Sequence, residues 1–599
     1  MLCETCAPRP GQATPPSPVV VDAHARGAPS FPERRVELIR EFPNFSGHVY
    51  KRPPNYKQNV GGRGDIDEYT AHAYQYATSS MPGELQPAAI VYAANEEDVL
   101  LAIQYARDAN IALAVRTGGH HFWGHSSTNG ENIQIDLSGF TKFDYDPATR
   151  TVKCGVGLDL FTIDEKLAEL GAFVPHGQCG KVRAGGHLQS GGFSVFCGRS
   201  HGWFCDHVTE FRIICADLKT RIVHKPVPES PDRDNDDLWF AAIGGSPGNF
   251  GIVTELTLKP LWDADYPESR STTVYMHYSR EAHQALLQIV AEYNDRDDLP
   301  ADFNLCAFVL GAYPLALRPN IDTRMMSEHP EIYGEGLEPH PTVLGLWATW
   351  CNLDGGAYSA EAQAFFADIK EKTKRYVTIV DAILTKIMAT VFGKVVPILG
   401  PDVAVPMSRL SQAYCFPKRV HANPYVSATW CGQSTSLSTN GFAAWAAKVT
   451  AEADDEDGCY PDFEWVVCGG KYSKNRTNAL TNPTSVAWRD LTILCFQYVH
   501  YDQTDLLGNP WAGPGAFSFA WVPRAKAGAI GPNGKIGTED HRWNAFPEQD
   551  RDLDANRKYY FQSEAVYQRV LDIKRRVDPN DVFTANRFCV GASRKYGPG

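Results

Sequence analysis

A strand-like run that ends in a glycine pair and continues into histidines and aromatic residues constrains this chain more than any other feature. The segment reads Val115-Arg116-Thr117-Gly118-Gly119-His120-His121-Phe122-Trp123-Gly124-His125-Ser126-Ser127. Paired glycines let the backbone approach a flat or phosphorylated ligand, and successive N–H groups at the end of a strand form an anion-binding nest. An isolated Gly-Gly-His is more often a tight turn beside a core histidine, so the interpretation depends on further segments of this kind.

Two more glycine-rich segments follow along the chain. Residues 179–194 begin at Cys179, which lacks a CxxC partner, and contain the pairs Gly185-Gly186 and Gly191-Gly192. Residues 237–253 run from a short helix through a glycine cluster into a strand that includes Val253. The second segment lacks the GxGxxG spacing of nicotinamide-binding proteins. Together the three segments favour a backbone wrapped around a pyrophosphate and a ring, and histidine and cysteine are side chains that can bond covalently to a flavin.

Length and composition limit the classes of protein that this chain can form. Its 599 residues exceed what one hydrophobic core usually supports, so at least two packed domains are expected. A net charge of -13 argues against a nucleic-acid partner, which needs a basic face. No apolar run is long enough to cross a bilayer, and the 15 cysteines lack the spacing of a zinc site. Neither a membrane-spanning segment nor a bound metal is predicted.

Changes in the pattern of predicted strands, helices and loops along the chain predict an α+β fold in four segments. Residues 1–60 form a leader that lies on the surface or is mobile, and residues 61–265 form a domain of short strands and helices. Residues 266–545 form a second domain with long strands at 462–469 and 490–500 and long loops near 311–341 and 503–540. Residues 546–599 return to the first domain. The N-terminus lacks the pattern of a signal peptide, which favours an intracellular protein unless the true N-terminus lies further upstream.

These segments, in this order, resemble the FAD-linked oxidases of the vanillyl-alcohol-oxidase superfamily, and most of all its berberine-bridge-enzyme-like group, which includes oligosaccharide oxidases. The tail, Tyr559-Tyr560 followed by Lys574-Arg575-Arg576-Val577-Asp578-Pro579-Asn580-Asp581-Val582-Phe583, is similar to the C-terminal signature of that group. The resemblance covers residues 70–260 and 555–590 and is patchy between them. It implies a two-part FAD-binding domain, made of the N-terminal part and the C-terminal tail, and an α+β substrate domain built on an antiparallel sheet.

The resemblance also implies how a cofactor is held. In this family the histidine after the glycine pair bonds to the 8α-methyl group of FAD, and in bicovalent members a cysteine bonds to C6 of the flavin. His120 and Cys179 stand at those two places. The other residues implied to line the FAD are Arg116, Thr117, Gly118, Gly119, Gly124, Ser126, Gly185, Gly186, Gly191, Gly192 and Val253.

The expected reaction follows from the same resemblance. The position three residues after the cysteine controls oxygen access in this group, and Val182 is the oxidase-like choice there. We therefore expect hydride transfer from an alcohol-type small molecule, either a saccharide or a secondary metabolite, to bicovalent FAD, with reoxidation by O2 to H2O2.

The family's usual catalytic bases do not stand at their usual places. Many members have a tyrosine where this chain has Phe546, and others have a glutamate on the strand near Gln497, where this chain has Cys495. A base must remove the substrate's hydroxyl proton as hydride leaves. Glu464, on an apolar strand where burial raises a carboxyl pKa, and Tyr498 are the two candidates. The competing interpretations are that Glu464 is an ordinary paired or edge carboxylate and that Tyr498 is a core aromatic residue. His121 and His125 are further candidates to assist in proton transfer.

Two alternatives to an oxidase stay open. A dehydrogenase of the same fold would react poorly with O2, and release of H2O2 during turnover separates it from an oxidase. A flavin-bearing or flavin-free binding protein that has lost its base is the third hypothesis. It predicts that no alcohol bleaches the flavin under anaerobic conditions.

Overall fold

The computed structural model describes residues 45–54, 56, 68–73, 75, 85–311, 341–377, 382, 384–385, 400–416, 425–501, 514–528, 530–531, 534–535, 542 and 552–591. Most of the predicted leader, most of the predicted loop at 311–341, and the Phe546 position lie outside the described residues.

Two sheets form the first part of the protein. The first has the order β1-β2-β4-β3, in which β2 and β3 run parallel to β4 and β1 is antiparallel to β2. The second is antiparallel with the order β5-β6-β10-β8-β9, and the short strands β7 and β11 pair beside it. The strands are β1 (His48–Lys51), β2 (Ala89–Tyr92), β3 (Leu113–Arg116), β4 (Ile133–Asp136), β5 (Phe143–Asp146), β6 (Thr151–Gly155), β7 (Ala172–Phe173), β8 (Val208–Ile214), β9 (Thr220–His224), β10 (Ile252–Leu258) and β11 (Leu261–Trp262).

Helices of this first part begin where the sequence supplies a capping side chain. The side chains of Asn95 and Asp159 accept hydrogen bonds from the backbone N–H groups of Asp98 and Thr162, which fixes the first turns of two helices. The helices are α1 (Glu68–Ala73), α2 (Glu96–Asp108), α3 (Leu160–Glu169), α4 (Ala184–Gln189), α5 (Gly198–His201) and α6 (Arg233–Ala242).

A seven-stranded antiparallel sheet dominates the second part. Its order is β12-β14-β13-β17-β18-β15, and β16 also pairs with β18. The strands are β12 (Arg270–His277), β13 (Phe303–Leu310), β14 (Val343–Trp350), β15 (Tyr425–Ser427), β16 (Trp430–Gly432), β17 (Cys459–Val467) and β18 (Ile493–Tyr501). A two-stranded hairpin, β19 (Ile530–Gly531) and β20 (Gly534–Lys535), follows.

One face of this sheet is covered by helices. Because side chains alternate along a strand, Phe463 and Trp465 of β17 and Cys495 of β18 join the helices in a buried core. Asp462 and Glu464 therefore face the opposite side. The helices of the second part are α7 (Arg280–Asn294), α8 (Ala360–Thr373), α9 (Met407–Ala413), α10 (Phe442–Asp454), α11 (Lys474–Thr477) and α12 (Pro514–Gly528).

Helix α12 corrects one prediction. The passage 503–540 was expected to be a long loop, yet residues 514–528 are helical and Trp521 is fully buried. Pro523 lies inside this helix, and a proline in mid-helix removes a hydrogen bond, which is why the sequence pattern did not indicate a helix here.

The C-terminal segment packs against the first part of the protein. It contains α13 (Leu553–Tyr560) and α14 (Glu564–Val577), and α14 ends at Val577, shortly before Pro579, which cannot continue a helix. The backbone N–H of Leu113 in β3 donates to the carbonyl of Val582, and Thr128 donates to the carbonyl of Ala585. The predicted α+β class is confirmed by this architecture, while the exact domain boundaries stay a prediction. Among the described residues, no helix is both long and apolar enough to cross a bilayer.

Candidate active site

A cavity of about 250 Å³ lies between the glycine-rich loops of the first part and the uncovered face of the seven-stranded sheet. The loops contribute glycines and histidines together with Phe122 and Phe193, whereas the sheet contributes mostly aromatic residues. On the loop side it is lined by Thr117, Gly118, Gly119, His120, His121, Cys179, Val182 and Gly186, and on the sheet side by Phe308, Leu310, Trp347, Asp462, Glu464, Phe496 and Tyr498. Pro247 of the third glycine-rich segment also lines the cavity, which thus joins all three predicted segments to both candidate bases.

His120 and Cys179 meet at the loop end of this cavity. The Sγ atom of Cys179 lies 3.8 Å from Nδ1 of His120, although the two residues are 59 positions apart in the chain. All the other described cysteines are buried, and only Cys179 is partly exposed. An accessible thiol is the kind that reacts, because a fully buried one is shielded from any partner.

Glycine is required where the loops turn and approach one another. Gly119 has a φ of +67° and Gly192 a φ of +74°, and residues other than glycine rarely adopt this region of backbone conformation. A Cβ atom on Gly192 would lie 2.8 Å from the ring of His187, and one on Gly118 would lie 3.2 Å from the carbonyl oxygen of Lys181. The glycines therefore allow the two loops to pack closely beside the cavity.

The predicted FAD-lining residues divide into two groups. Thr117, Gly118, Gly119, Val182 and Gly186 line the cavity together with His120 and Cys179. The remainder do not line it: they are Arg116, Gly124, Ser126, Gly185, Gly191, Gly192 and Val253. Contact with FAD stays a prediction for both groups.

Arg116 shows what the residues outside the cavity do within the fold. Its side chain is buried, forms an ion pair with Asp136 at 2.5 Å, and donates to the carbonyl of His72 and the hydroxyl of Tyr92. It therefore fastens β3 to β4 directly before the glycine pair. Ser126 similarly donates to the side chain of Gln75 at 2.5 Å.

Glu464 lies on the sheet wall of the cavity. In the sheet it is flanked by Phe308 of β13 and Phe496 of β18. The pKa of its carboxyl is raised to about 8: burial is the main cause, the negative charge of Asp462 adds to it, and a hydrogen bond with the side chain of Gln178 partly opposes the shift. The side chain is half-buried and lines the cavity, so its carboxyl is accessible to a small molecule and yet poorly hydrated.

Tyr498 lies beside Glu464 on the same face of the sheet. Its ring stacks on Phe122 at 4.7 Å with an angle of 17°, and Asp462 is its partner across the strands. Both candidate bases thus reach the cavity. Cys495, at the position where other members of the group carry a glutamate, belongs instead to the helix-covered core.

The histidines near the first glycine pair have different environments. His121 lines the cavity, whereas the ring of His125 stacks on Phe588 at 4.4 Å and 8°. Burial, followed by the proximity of His121, lowers the pKa of His125 well below its usual value, so this ring is neutral. Its stacked position makes it a structural residue.

His187 was missed at the sequence level. It lines the cavity, its Nε2 accepts a hydrogen bond from the N–H of Gly177 at 3.3 Å, and burial lowers its pKa to about 3. The sequence signal was present, because a second Gly-Gly-His occurs at residues 185–187.

Similarity to known sequences is concentrated in the first part of the chain. The FAD binding domain family matches residues 87–222. The FAD-linked oxidoreductase penO of Penicillium crustosum is 34% identical over 179 residues, which is 30% of this chain and 38% of that protein. The FAD-linked oxidoreductase sorD of Penicillium rubens is 26% identical over 335 residues, covering 53% of this chain and 66% of sorD. The matched part thus spans less than two thirds of either relative.

Solved structures match almost the whole chain. The berberine-bridge-enzyme-like 1 protein of Physcomitrella patens has a TM-score of 0.62 at 15% identity, covering 93% of this chain and 99% of its own. A glucooligosaccharide oxidase of Acremonium strictum has a TM-score of 0.61 at 18% identity, covering 87% and 93%.

These matches define the class of protein. The chain contains an FAD-binding domain and has the fold of the berberine-bridge-enzyme-like proteins and oligosaccharide oxidases. The predicted resemblance to the FAD-linked proteins of the vanillyl-alcohol-oxidase superfamily is therefore confirmed.

Proposed function

We propose that this protein is an FAD-dependent oxidase that holds FAD covalently through His120 and Cys179 and oxidises a small alcohol. The observation that carries the proposal is the convergence of His120 and Cys179, 3.8 Å apart, at the end of a cavity whose opposite wall carries Glu464 and Tyr498. Imidazole nitrogen and an accessible thiol are the donors that a bicovalent flavin requires, so the residues present fit this cofactor. When bound, FAD would supply a hydride acceptor.

Glu464 is the base in this proposal. Its carboxyl faces the cavity, and a pKa of about 8 lies close to the pH at which a base is both ionised and strong. The ionised carboxylate accepts the hydroxyl proton of the substrate. Tyr498, on the neighbouring strand, orients the substrate against the stacked ring of Phe122.

The wall of the cavity supports one of the two substrate classes left open by the sequence. Most of the described wall opposite the loops is apolar and is formed by Phe308, Leu310, Trp347, Phe416 and Phe496. A saccharide presents many hydroxyl groups that lose hydrogen bonds to water when they meet such a wall, whereas aromatic surfaces pack well against it. This favours an apolar or aromatic secondary metabolite that bears a hydroxyl group.

The acceptor that reoxidises the enzyme is proposed to be O2. Val182 lines the cavity, and its backbone is fixed at both ends, since its N–H donates to the carbonyl of Cys179 and its carbonyl accepts from Leu160. A small apolar side chain at this place leaves an apolar path for a small apolar gas.

Anaerobic reduction followed by admission of air tests the proposal. The purified holoenzyme is mixed without oxygen with aromatic primary and secondary alcohols and, separately, with oligosaccharides, and flavin absorbance is followed. We expect bleaching by an aromatic alcohol and stoichiometric H2O2 when air enters. Bleaching without H2O2 would indicate a dehydrogenase. Failure of every alcohol to bleach the flavin would contradict an enzyme of this kind and favour a binding protein.

A further inference from the structure

A fully buried polar cluster lies directly behind the loop that carries Cys179. It consists of Asp164 on α3, His176 at the start of the loop, and Ser411 on α9 of the second part. Asp164 and His176 are each 1% exposed and Ser411 is 0% exposed, so water does not reach the cluster. Neither the hydride-transfer step nor the cavity wall uses any of these three residues.

Hydrogen bonds fix the orientation of the His176 ring. Its Nδ1 lies 2.7 Å from the carbonyl oxygen of Gly177, which can only accept, so Nδ1 is the donor. Its Nε2 lies 2.9 Å from the hydroxyl of Ser411 and 3.2 Å from Oδ1 of Asp164. The Ser411 hydroxyl in turn donates to the same oxygen of Asp164 at 2.5 Å. Both ring nitrogens are thus held, and rotation of the ring would break three contacts.

A second set of contacts holds the other end of the same loop. The N–H of Phe416 donates to the carbonyl of Gln178 at 2.7 Å, and the N–H of Gly180 donates to the carbonyl of Phe416 at 2.8 Å. Cys179 lies between these two hydrogen bonds and pairs with Phe416. Residues 176–180 are therefore fastened at both ends by one segment, residues 411–416, that belongs to the second part of the protein.

We infer that Asp164, His176 and Ser411 are positioning residues that hold the Cys179 loop where its sulfur can bond to the flavin. The inference rests on the proposed covalent attachment. A buried anchor at His176, close in sequence to Cys179, restricts the backbone of the reactive residue, and a loss of alignment of about 1 Å is enough to slow a reaction about 100-fold.

The bond that the cluster promotes is a thioether between Sγ of Cys179 and C6 of the flavin ring. The S–H and C6–H bonds break, their two protons leave the reacting atoms, and the two electrons of the C–H bond pass into the ring system. The ring ends two electrons more reduced. A two-electron acceptor, O2 in the proposed oxidase, then restores it.

Possible metal ligands overlap this cluster. Asp164, His176 and Cys415 place possible ligand atoms within 4.8 Å of one another. The distance of 3.2 Å between Nε2 of His176 and Oδ1 of Asp164 suits either a hydrogen bond or two ligands of one metal ion, so the test below includes the metal content of the protein.

Peptide mass spectrometry of holoenzyme variants tests the inference. The substitutions are Ser411→Ala, which removes one hydroxyl, and Asp164→Asn, which keeps the shape of the side chain. Thr373→Ala is the matched control, because its buried hydroxyl donates only within α8, at 2.8 Å to Ile369. For each protein the fractions of the His120 and Cys179 peptides that carry flavin are measured, together with the metal content and the thermal midpoint.

We expect the flavin-bearing fraction of the Cys179 peptide to fall about 10-fold or more in both variants, with the His120 peptide unchanged and the control like the wild type. An unchanged Cys179 peptide in a folded variant would overturn the inference. An equal fall of both peptides, or stoichiometric zinc that is lost on Asp164→Asn, would also overturn it. A wild-type protein with flavin on His120 alone would refute this inference and the proposed Cys179 linkage, whereas the proposed oxidation of an alcohol is judged separately by anaerobic bleaching of the flavin.

Discussion

At the scale of single residues, the surroundings of Glu464 decide what its carboxyl can do. The two-residue period of β17 turns Asp462 and Glu464 to the cavity and sends Phe463 and Trp465 into the helix-covered core. An acidic side chain among aromatic neighbours is poorly hydrated, so its neutral form is favoured. The pKa of about 8 follows from that placement and from the nearby charge of Asp462.

Replacement of Glu464 by glutamine tests its role as the base. E464Q keeps the size of the side chain but cannot accept a proton, so we expect kcat/KM to fall about 100-fold or more. In the wild type, kcat/KM should rise with pH to a plateau above about 8, and E464Q should lose this dependence. Asp462→Asn is the matched control: it removes a charge that raises the pKa of Glu464, so the profile should shift to lower pH. A larger loss in Y498F than in E464Q would assign the base to Tyr498.

The same carboxyl makes stability depend on pH. The pKa of Glu464 in the folded protein, about 8, lies above its ordinary value of 4.5, so the folded state binds this proton more tightly. The stabilisation is fully present below the ordinary pKa and is lost as pH rises to about 8. Urea unfolding should therefore show that the wild type loses stability relative to E464Q across this window. A difference that does not vary with pH would contradict the assigned pKa.

At the scale of elements, helix starts were predictable and long-range partners were not. Asn95 and Asp159 precede apolar residues at helical spacing, so local sequence suffices to place both caps. Strand β17 begins at Cys459, earlier than the predicted 462, because its pairing with β18 extends to Tyr501. The contact between Asp164 and Ser411 joins residues 247 positions apart, and no local pattern encodes it.

The end of α14 depends on a buried ion pair. Lys574 and Asp578 lie 2.6 Å apart and are 2% and 0% exposed, and the carboxylate also accepts from the N–H groups of Val582 and Phe583. Asp578→Asn leaves the Lys574 charge uncompensated, so we expect a loss of about 3–5 kcal/mol in the free energy of unfolding. Urea unfolding measures it.

The exposed pair on the same helix supplies the control. Asp572 lies 3.4 Å from Arg575, and both side chains are mostly in solvent. Asp572→Asn should leave the unfolding midpoint unchanged, because exposed pairs contribute little. Equal effects of the two substitutions would show that the Lys574–Asp578 pair does not anchor the tail.

At the scale of the whole molecule, buried charges tie the two parts together. Arg199 of α5 donates to the carbonyls of Leu299, Pro300, Phe303 and Gly469, all in the second part. Arg489 and Asp206 lie 2.7 Å apart across the same contact and are almost fully buried. Although burial alone would raise the pKa of Asp206, the charge of Arg489 and several hydrogen bonds lower it. The cavity lies between the parts that these contacts join.

Cooperative unfolding is the expected consequence of these contacts. In the wild type, unfolding followed by flavin fluorescence and by far-UV circular dichroism should give one coincident transition. Arg489→Met leaves Asp206 buried without its ion partner and should lower the shared midpoint by an amount corresponding to about 3–5 kcal/mol. Arg296→Met is the control, since Arg296 and its partner Asp298 are exposed. Two separate transitions in the wild type would contradict the coupling.

The loop side of the candidate site could be predicted from the sequence, whereas its sheet side could not. The three glycine-rich segments favoured a flavin cofactor, and the family resemblance that these short local motifs carry implied the pair His120 and Cys179. The aromatic wall could not be predicted, since Phe308, Trp347 and Phe496 come from three strands that meet only through the register of the sheet. Pairing between distant strands follows from packing of the whole sheet and leaves no local signature.

The most direct test of covalent flavin attachment is the mass of the two peptides that carry His120 and Cys179, measured after acid precipitation of the purified holoenzyme and proteolysis. Covalent flavin survives acid, whereas a flavin held only by hydrogen bonds and packing is released. We expect a yellow pellet and flavin mass on both peptides, because Sγ of Cys179 and Nδ1 of His120 lie 3.8 Å apart at the same end of the cavity. A colourless pellet with both peptides unmodified would contradict covalent attachment of the flavin.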